Sequence, residues 1–184
     1  MKKIIFWYGS LLSAEWWNRT LERKVTNNDL IYLELKWFKR VWSYTNPIIF
    51  INEQNKIYWG VFLDIIEDND SIINWYWVEL SDKEFNLIER REKWYKMLDI
   101  TDFIVNKDNS YKYFTSYLIN KNIKNNYNKV IPKKYYDFVE DILKKQSNKF
   151  IDMYRELTEK INYILKDGEY KFLDNDINKA TWRI

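Results

Sequence analysis

The chain contains no cysteine and no histidine. Without cysteine there is no disulfide scaffold and no thiolate metal site. Without histidine there is no Ser-His-Asp triad, no Cys-His pair and no zinc site that depends on imidazole. A catalyst made from this inventory works with carboxylates, Lys, Tyr or Ser, and the expectation is neither metal nor cofactor. Long apolar runs are also missing, since none approaches the roughly 18 residues of a membrane span. The opening Met1-Lys2-Lys3-Ile4-Ile5-Phe6-Trp7-Tyr8 is basic and then apolar. Gly9-Ser10 interrupts it without a small-residue cleavage site, so it reads as a first strand rather than a signal peptide. The expected location is the cytoplasm, with no membrane partner. Charge of one sign is lacking too: 30 basic against 27 acidic residues leave a net +3, too little to imply a nucleic-acid partner.

Glycine is scarce, at three residues where average usage of about 7% would give roughly a dozen. Tryptophan is abundant, at ten. Frequent Lys, Asn and Ile suggest an AT-rich coding sequence, which can depress glycine but does not explain the tryptophans.

At 184 residues, 46% of them hydrophobic, the chain is long enough for one compact domain with a real core. Residues 2–8 predict a strand, and residues 13–21 a short helix or turn. Residues 30–36 and 47–51 predict two strands. Residues 57–66 and 72–80 predict two more, separated by the turn signal Glu67-Asp68-Asn69-Asp70. Ser81-Asp82-Lys83-Glu84 is a capping box that opens a helix running to about residue 92. Residues 95–105 and 111–119 read as strands. Tyr135, Phe138, Val139, Ile142 and Leu143, and then Phe150, Tyr154, Leu157, Ile161 and Ile164, recur at helical spacing. Pro132 suits the first turn of the former helix. Strands followed by helices make an α+β pattern. The predicted division is a strand-rich domain over 1–125 and a helical C-terminal extension over 126–184 packed on it.

On the capped helix, Ile88, Glu89 and Glu92 fall within about 60° of Phe85 at 100° per residue. Two carboxylates are thereby expected on the apolar face. Burial raises a carboxyl pKa, one route to a general base near neutral pH in a protein without histidine. The alternative is that Glu92 turns to solvent or pairs with a lysine.

Three segments, in order, resemble the gamma-glutamylcyclotransferase-like superfamily, including its bacterial and ChaC-type members. They are Ile5-Phe6-Trp7-Tyr8-Gly9-Ser10-Leu11-Leu12, then Leu35-Lys36-Trp37-Phe38-Lys39-Arg40-Val41-Trp42, then residues 80–95 with Ile88-Glu89-Arg90-Arg91-Glu92-Lys93-Trp94-Tyr95. A weaker similarity covers Ile131-Pro132-Lys133-Lys134-Tyr135-Tyr136-Asp137-Phe138. The resemblance implies a small, mixed, β-barrel-like α+β fold. It also implies release of 5-oxoproline from a γ-glutamyl compound by intramolecular attack of the substrate's amine. Glu92 would then be the acid/base, with Gly9, Ser10 and Leu11 as the substrate-binding loop and Tyr8 and Tyr117 beside it. Tyr111 and Tyr113 are alternatives to Tyr117. The implied partner is a small γ-glutamyl compound, glutathione among the candidates. A non-catalytic module on the same fold, binding a small ligand or a protein, is the competing reading, and an RNA-binding module is a third.

Trp7, Trp37 and Trp94 stand where the resembling motifs carry glycine, and Trp75 is a possible fourth. UGA codons that mean glycine in the source organism, read here as tryptophan, account for both the coincidence and the glycine shortage. Genuine aromatic substitution in an AT-rich genome is the alternative.

Overall fold

The computed structural model describes residues 2–6, 17–18, 21, 23–53, 55–91, 96–117 and 128–174. Its strands form two mixed sheets. In the first, β1 (Lys2–Phe6) lies between β4 (Glu79–Leu80) and β6 (Tyr111–Tyr117), and β5 (Lys96–Asp99) completes the order β4-β1-β6-β5. β1 runs parallel to β6 and antiparallel to β4, and β5 runs antiparallel to β6. The second sheet contains β2 (Ile31–Phe50), β3 (Ile57–Trp77), β7 (Lys129–Pro132), β8 (Ile164–Lys166) and β9 (Tyr170–Phe172), in the order β8-β7-β3-β2-β9. Helices α1 (Asp82–Arg91), α2 (Lys133–Leu143) and α3 (Asn148–Glu156) accompany them. The α+β class matches the expectation, but the described strands form two open sheets rather than a closed barrel.

The four strands expected over 30–80 are two long ones, β2 and β3, paired antiparallel from Ile31↔Trp77 to Ile49↔Ile57. A straight strand of 20 residues would reach roughly 65 Å. A compact chain of this length has a radius of gyration of roughly 16 Å, so the pair must bend. Register breaks between Lys36 and Phe38 and between Trp42 and Tyr44 provide the irregularities at which it can. At the first break, Lys36 pairs with Ile72 and Phe38 with Glu67, so four residues of β3 stand opposite Trp37 alone. Those four, 68–71, contain most of the predicted turn signal, and Asp70 N–H donates to Asp68 Oδ1 at 3.1 Å. The turn chemistry was legible in the sequence; continued pairing on either side of it was not.

β3 is the central strand of its sheet. It is buried almost without interruption from Tyr58 to Ile65, as a strand covered on both faces must be. Gly60 belongs here because a Cβ at that position would lie 2.9 Å from the Ile48 side chain. The main core joins β2 and β3 to the C-terminal helices through Leu35, Val61, Leu63, Ile65, Ile73, Trp75, Val139, Ile142, Phe150 and Tyr154. A second core, containing Ile5, Trp17, Leu80, Phe85 and Ile88, seats α1 on the first sheet.

Within the segment expected as a helical extension, β7, β8 and β9 contribute strands to the second sheet. Pro132 ends β7 and is the N-cap of α2. The helical spacing through Ile161 and Ile164 does not become helix. α3 stops at Glu156, and Ile164 starts β8. The cause is tertiary. Thr158 Oγ1 donates to the Tyr154 carbonyl at 2.6 Å, Thr158 bridges to Arg40, and Glu159 N–H donates to the Arg40 carbonyl at 2.9 Å. The backbone after α3 is thus committed to β2.

Arg40 itself is fully buried. Its Nη2 donates to the Asn74 carbonyl of β3 at 2.8 Å. Its Nη1 donates to Thr158 Oγ1 at 3.0 Å and to the Tyr154 carbonyl at 3.3 Å. The guanidinium lies 3.8 Å from the Tyr154 ring centroid and 5.0 Å from that of Trp75. Burial lowers its pKa to about 10, partly offset by Tyr154, so it stays charged at neutral pH. Arg40→Ala is expected to cost about 3–5 kcal/mol of unfolding free energy, because it opens a cavity and strands buried carbonyls. Arg40→Met, which refills the volume, should cost less. Urea denaturation of the two variants checks this, and an unchanged midpoint for Arg40→Ala would remove Arg40 from its place in the core.

Candidate functional site

Of the residues that the sequence suggested for a site, Glu92, Tyr8, Gly9, Ser10 and Leu11 lie outside the described residues. Tyr117 is the last residue of β6, and its backbone pairs with Lys96. The described chain on either side of these positions converges. β1 and β6 are parallel, with Phe6 opposite Thr115, so both strands finish at the same end of the first sheet. β5 is antiparallel to β6 and begins at that end, with Lys96 beside Tyr117. The chain therefore leaves toward residues 7–11 from Phe6, leaves β6 at Tyr117, and re-enters the sheet at Lys96 only four residues after Glu92.

α1 is aimed along the same direction. It starts beside the N-terminal part of β1, where Asp82 pairs with Lys3 at 2.9 Å and Leu80 is in register with Lys3. The predicted capping box forms in full. Ser81 N–H and Oγ donate to Glu84 Oε2, each at 2.8 Å, and Glu84 N–H donates back to Ser81 Oγ at 3.3 Å. Glu84 also accepts from Arg23, whose Nη2 donates to the Glu79 carbonyl at 2.8 Å. Beyond the cap, Phe85 and Ile88 enter the core, with Phe85 edge-on to Phe114 at 5.0 Å. Ten residues of helix advance about 15 Å. This carries Arg91 from the Lys3 side of the sheet toward the end where β1 finishes.

The helical-face argument needs one correction. Glu89 is exposed, so it does not share the buried face with Phe85 and Ile88. Among the described side chains of α1 only the i, i+3 pair is fully covered, with Leu87 half-buried, and a stripe that narrow leaves the position after Ile88 at its solvent rim. Of the alternatives named for Tyr117, Tyr113 is buried and its hydroxyl is held near Asp108, accepting from the Asp108 N–H at 3.0 Å. Tyr111 donates to Glu79 Oε2 at 2.9 Å. Both belong to the opposite end of β6 from Tyr117.

A cleft of about 810 Å³ lies at the start of α1, lined among others by Lys2, Lys3, Arg23, Glu79, Asp82 and Glu84. Its charges are engaged with one another: Lys2 pairs with Glu79 at 2.8 Å, Lys3 with Asp82, and Arg23 with Glu84. This is an ion-paired surface that anchors α1 rather than a reactive cluster. Among the described residues, no group of three or more acidic side chains is placed to hold a metal ion. No described helix is long and apolar enough to cross a membrane. The sequence reading missed Arg23, which couples the start of α1 to β4. Nothing in its local pattern marks it, because its partners are 56 and 61 residues away.

Two open mixed sheets with a capped helix between β4 and β5 define the class of fold. That fold is the one found in gamma-glutamyl cyclotransferase. A solved structure of that name aligns over 99% of this chain and 99% of its own, with a TM-score of 0.55 and 12% identity. An uncharacterized protein from Homo sapiens aligns over 97% and 98%, with a TM-score of 0.53 and 12% identity. A protein from Arabidopsis thaliana, solved in solution, aligns over 85% and 81%, with a TM-score of 0.49 and 19% identity. No protein-family description matches the sequence, and no curated protein matches it.

The Glu84 carboxyl titrates below the usual glutamate range. Its burial works to raise it, but the Ser81 backbone bond, Arg23 and the Ser81 hydroxyl together outweigh that effect. A lowered folded-state value contributes stability that is present above the unfolded value, near about 4.3, and is lost as pH falls through the folded one. Glu84→Gln is therefore expected to lose about 1–2 kcal/mol at pH 7, the scale of a hydrogen bond to a charged group. The gap to the parent should close as the pH drops below about 4. Urea midpoints at pH 7 and pH 3 measure this, and a gap that stays constant with pH would exclude the charged capping role.

Proposed function

We propose that the protein is a γ-glutamyl cyclotransferase, releasing 5-oxoproline from a small γ-glutamyl compound. The observation that carries this reading is the convergence of Phe6, Tyr117 and Lys96 at one end of the first sheet. Every residue suggested for the chemistry is Tyr117 itself or lies within five residues of one of these ends. The full-length likeness to a gamma-glutamyl cyclotransferase structure supports the reading at the level of the fold.

The chemistry suits a chain without cysteine or histidine, because the nucleophile belongs to the substrate. Its α-ammonium group gives a proton to the Glu92 carboxylate. The freed amine nitrogen attacks the γ-carbonyl carbon, and a new C–N bond closes the five-membered ring. The resulting oxyanion needs donors aimed at it, a role assigned to the backbone N–H groups of Gly9, Ser10 and Leu11. Breakdown of the tetrahedral intermediate cleaves the original γ-amide C–N bond as Glu92 returns the proton to the departing amine. The second proton of the ring nitrogen passes through the freed Glu92 carboxylate to the released amine, which leaves as an ammonium ion. One carboxyl group thus serves as base and then acid. Tyr8 and Tyr117 flank the substrate in this arrangement. No cofactor or metal takes part in it. Glutathione, γ-glutamyl amino acids and γ-glutamyl amines all present the same reacting half, so the class of substrate is the γ-glutamyl group.

Glu92→Gln keeps the shape of the side chain but cannot accept the ammonium proton. Turnover should fall roughly 10²- to 10⁴-fold with KM little changed. Glu89→Gln, on the exposed side of α1, should behave like the parent. The assay is 5-oxoproline release from a panel of the three kinds of γ-glutamyl compound. Full activity in Glu92→Gln would refute the mechanism. Binding without release in the parent protein would instead define a ligand-binding module on the same fold.

A further inference from the structure

Only two described residues have positive φ: Gly168, at +118°, and Trp37, at +68°. The first is ordinary, because glycine carries no Cβ to clash. The second is not. A left-handed backbone costs an L-residue roughly 1–2 kcal/mol, and for a bulky side chain it is a true outlier.

The position itself demands that conformation. Trp37 falls at the register break of the β2–β3 pair, where β2 must continue past four residues of β3 with a single residue of its own. A residue in the left-handed region at such an irregularity is characteristically glycine. The indole, meanwhile, does little to justify the strain. It is 45% exposed, lies edge-on to Phe103 at 5.4 Å, and has the Lys36 ammonium 5.0 Å from its ring. The other described tryptophans have no such backbone. Trp42 and Trp75 are buried in the core at negative φ. The composition points the same way, with three glycines and ten tryptophans in 184 residues. Of the two described glycines, Gly168 occupies a positive-φ position that favours glycine, and Gly60 sits where a Cβ would press on the Ile48 terminal methyl at 2.9 Å.

We propose that residue 37 is glycine in the protein as its own organism makes it. The codon is UGA, decoded there as glycine and written as tryptophan only under a different code. The inference is confined to position 37, because that is where the described backbone strains any residue that carries a Cβ. It is independent of the enzymatic reading, since it concerns the bend in β2 and not the chemistry at the sheet end.

The test has two arms. The first reads codon 37 in the gene and isolates the protein from its source. Cleavage after glutamate gives the peptide from Leu35 to Glu53, which contains both position 37 and Trp42. The expected result is a UGA codon and a peptide with glycine at 37 and tryptophan retained at 42. A UGG codon, or tryptophan at 37 in that peptide, overturns the proposal. The second arm uses recombinant protein made with tryptophan at 37. Trp37→Gly should raise the thermal midpoint by about 2–4 °C. Trp37→Ala, which keeps a Cβ at positive φ, should melt below Trp37→Gly. Trp59→Gly, at a regular position of β3, should melt below the parent. If Trp37→Ala melts as high as Trp37→Gly, position 37 has no need of glycine and the proposal fails.

Discussion

The Arg40 guanidinium is the contact on which the second sheet and the C-terminal helices both depend. It is a full charge with no access to water. Such a group is tolerated only where donors meet acceptors and the charge is met by polarisable surroundings. Arg40 finds carbonyl oxygens on β3 and α3, the Thr158 hydroxyl, and the faces of two aromatic rings. These partners come from β3, from α3 and from the turn that follows α3, so the two Nη groups find their acceptors only when both elements are packed on β2. The same contact ends α3. A carbonyl in its last turn is taken by Arg40, and the chain beyond is held to the β2 backbone. A helix that could have run on through Ile161 gives way to a sheet edge.

The first sheet depends on a different device. α1 is short, and among its described side chains only Phe85 and Ile88 are buried, with Glu84 and Leu87 half-buried. What fixes its direction is the ionic anchoring at its start, where Ser81, Glu84, Arg23, Asp82 and Lys3 interlock. Exposed ion pairs are worth little singly. Here they act together with a capping box on a helix whose far end leads to the proposed base. The direction of the helix is thus set about 15 Å from where it ends at Arg91.

Much of this was legible in the sequence because it is local. The capping box at Ser81–Glu84 formed as its spacing requires, since all its partners lie within one turn. The α2 register and the turn chemistry of residues 68–70 are equally short-range. The glycine shortage was visible in composition alone. What misled was also local. Helical spacing continued through Ile164, and the predicted strands over 30–36 and 47–51, and over 57–66 and 72–80, looked like separate elements. The exposure of Glu89 depended on how narrow a stripe the sheet covers, which periodicity cannot reveal.

The sequence by itself determined the α+β class, the absence of thiol and imidazole chemistry, the capped helix and the order of the candidate residues. Each of these rests on residue type or on spacing within a few positions. Only the tertiary structure decided that β2 and β3 bend as one pair, that Arg40 ends α3, and that β1, β5 and β6 bring their Phe6, Lys96 and Tyr117 ends together. It also decided that position 37 must turn left-handed. These outcomes come from pairings between residues far apart in the chain, whose free energy exists only once the partner strand or helix is in place.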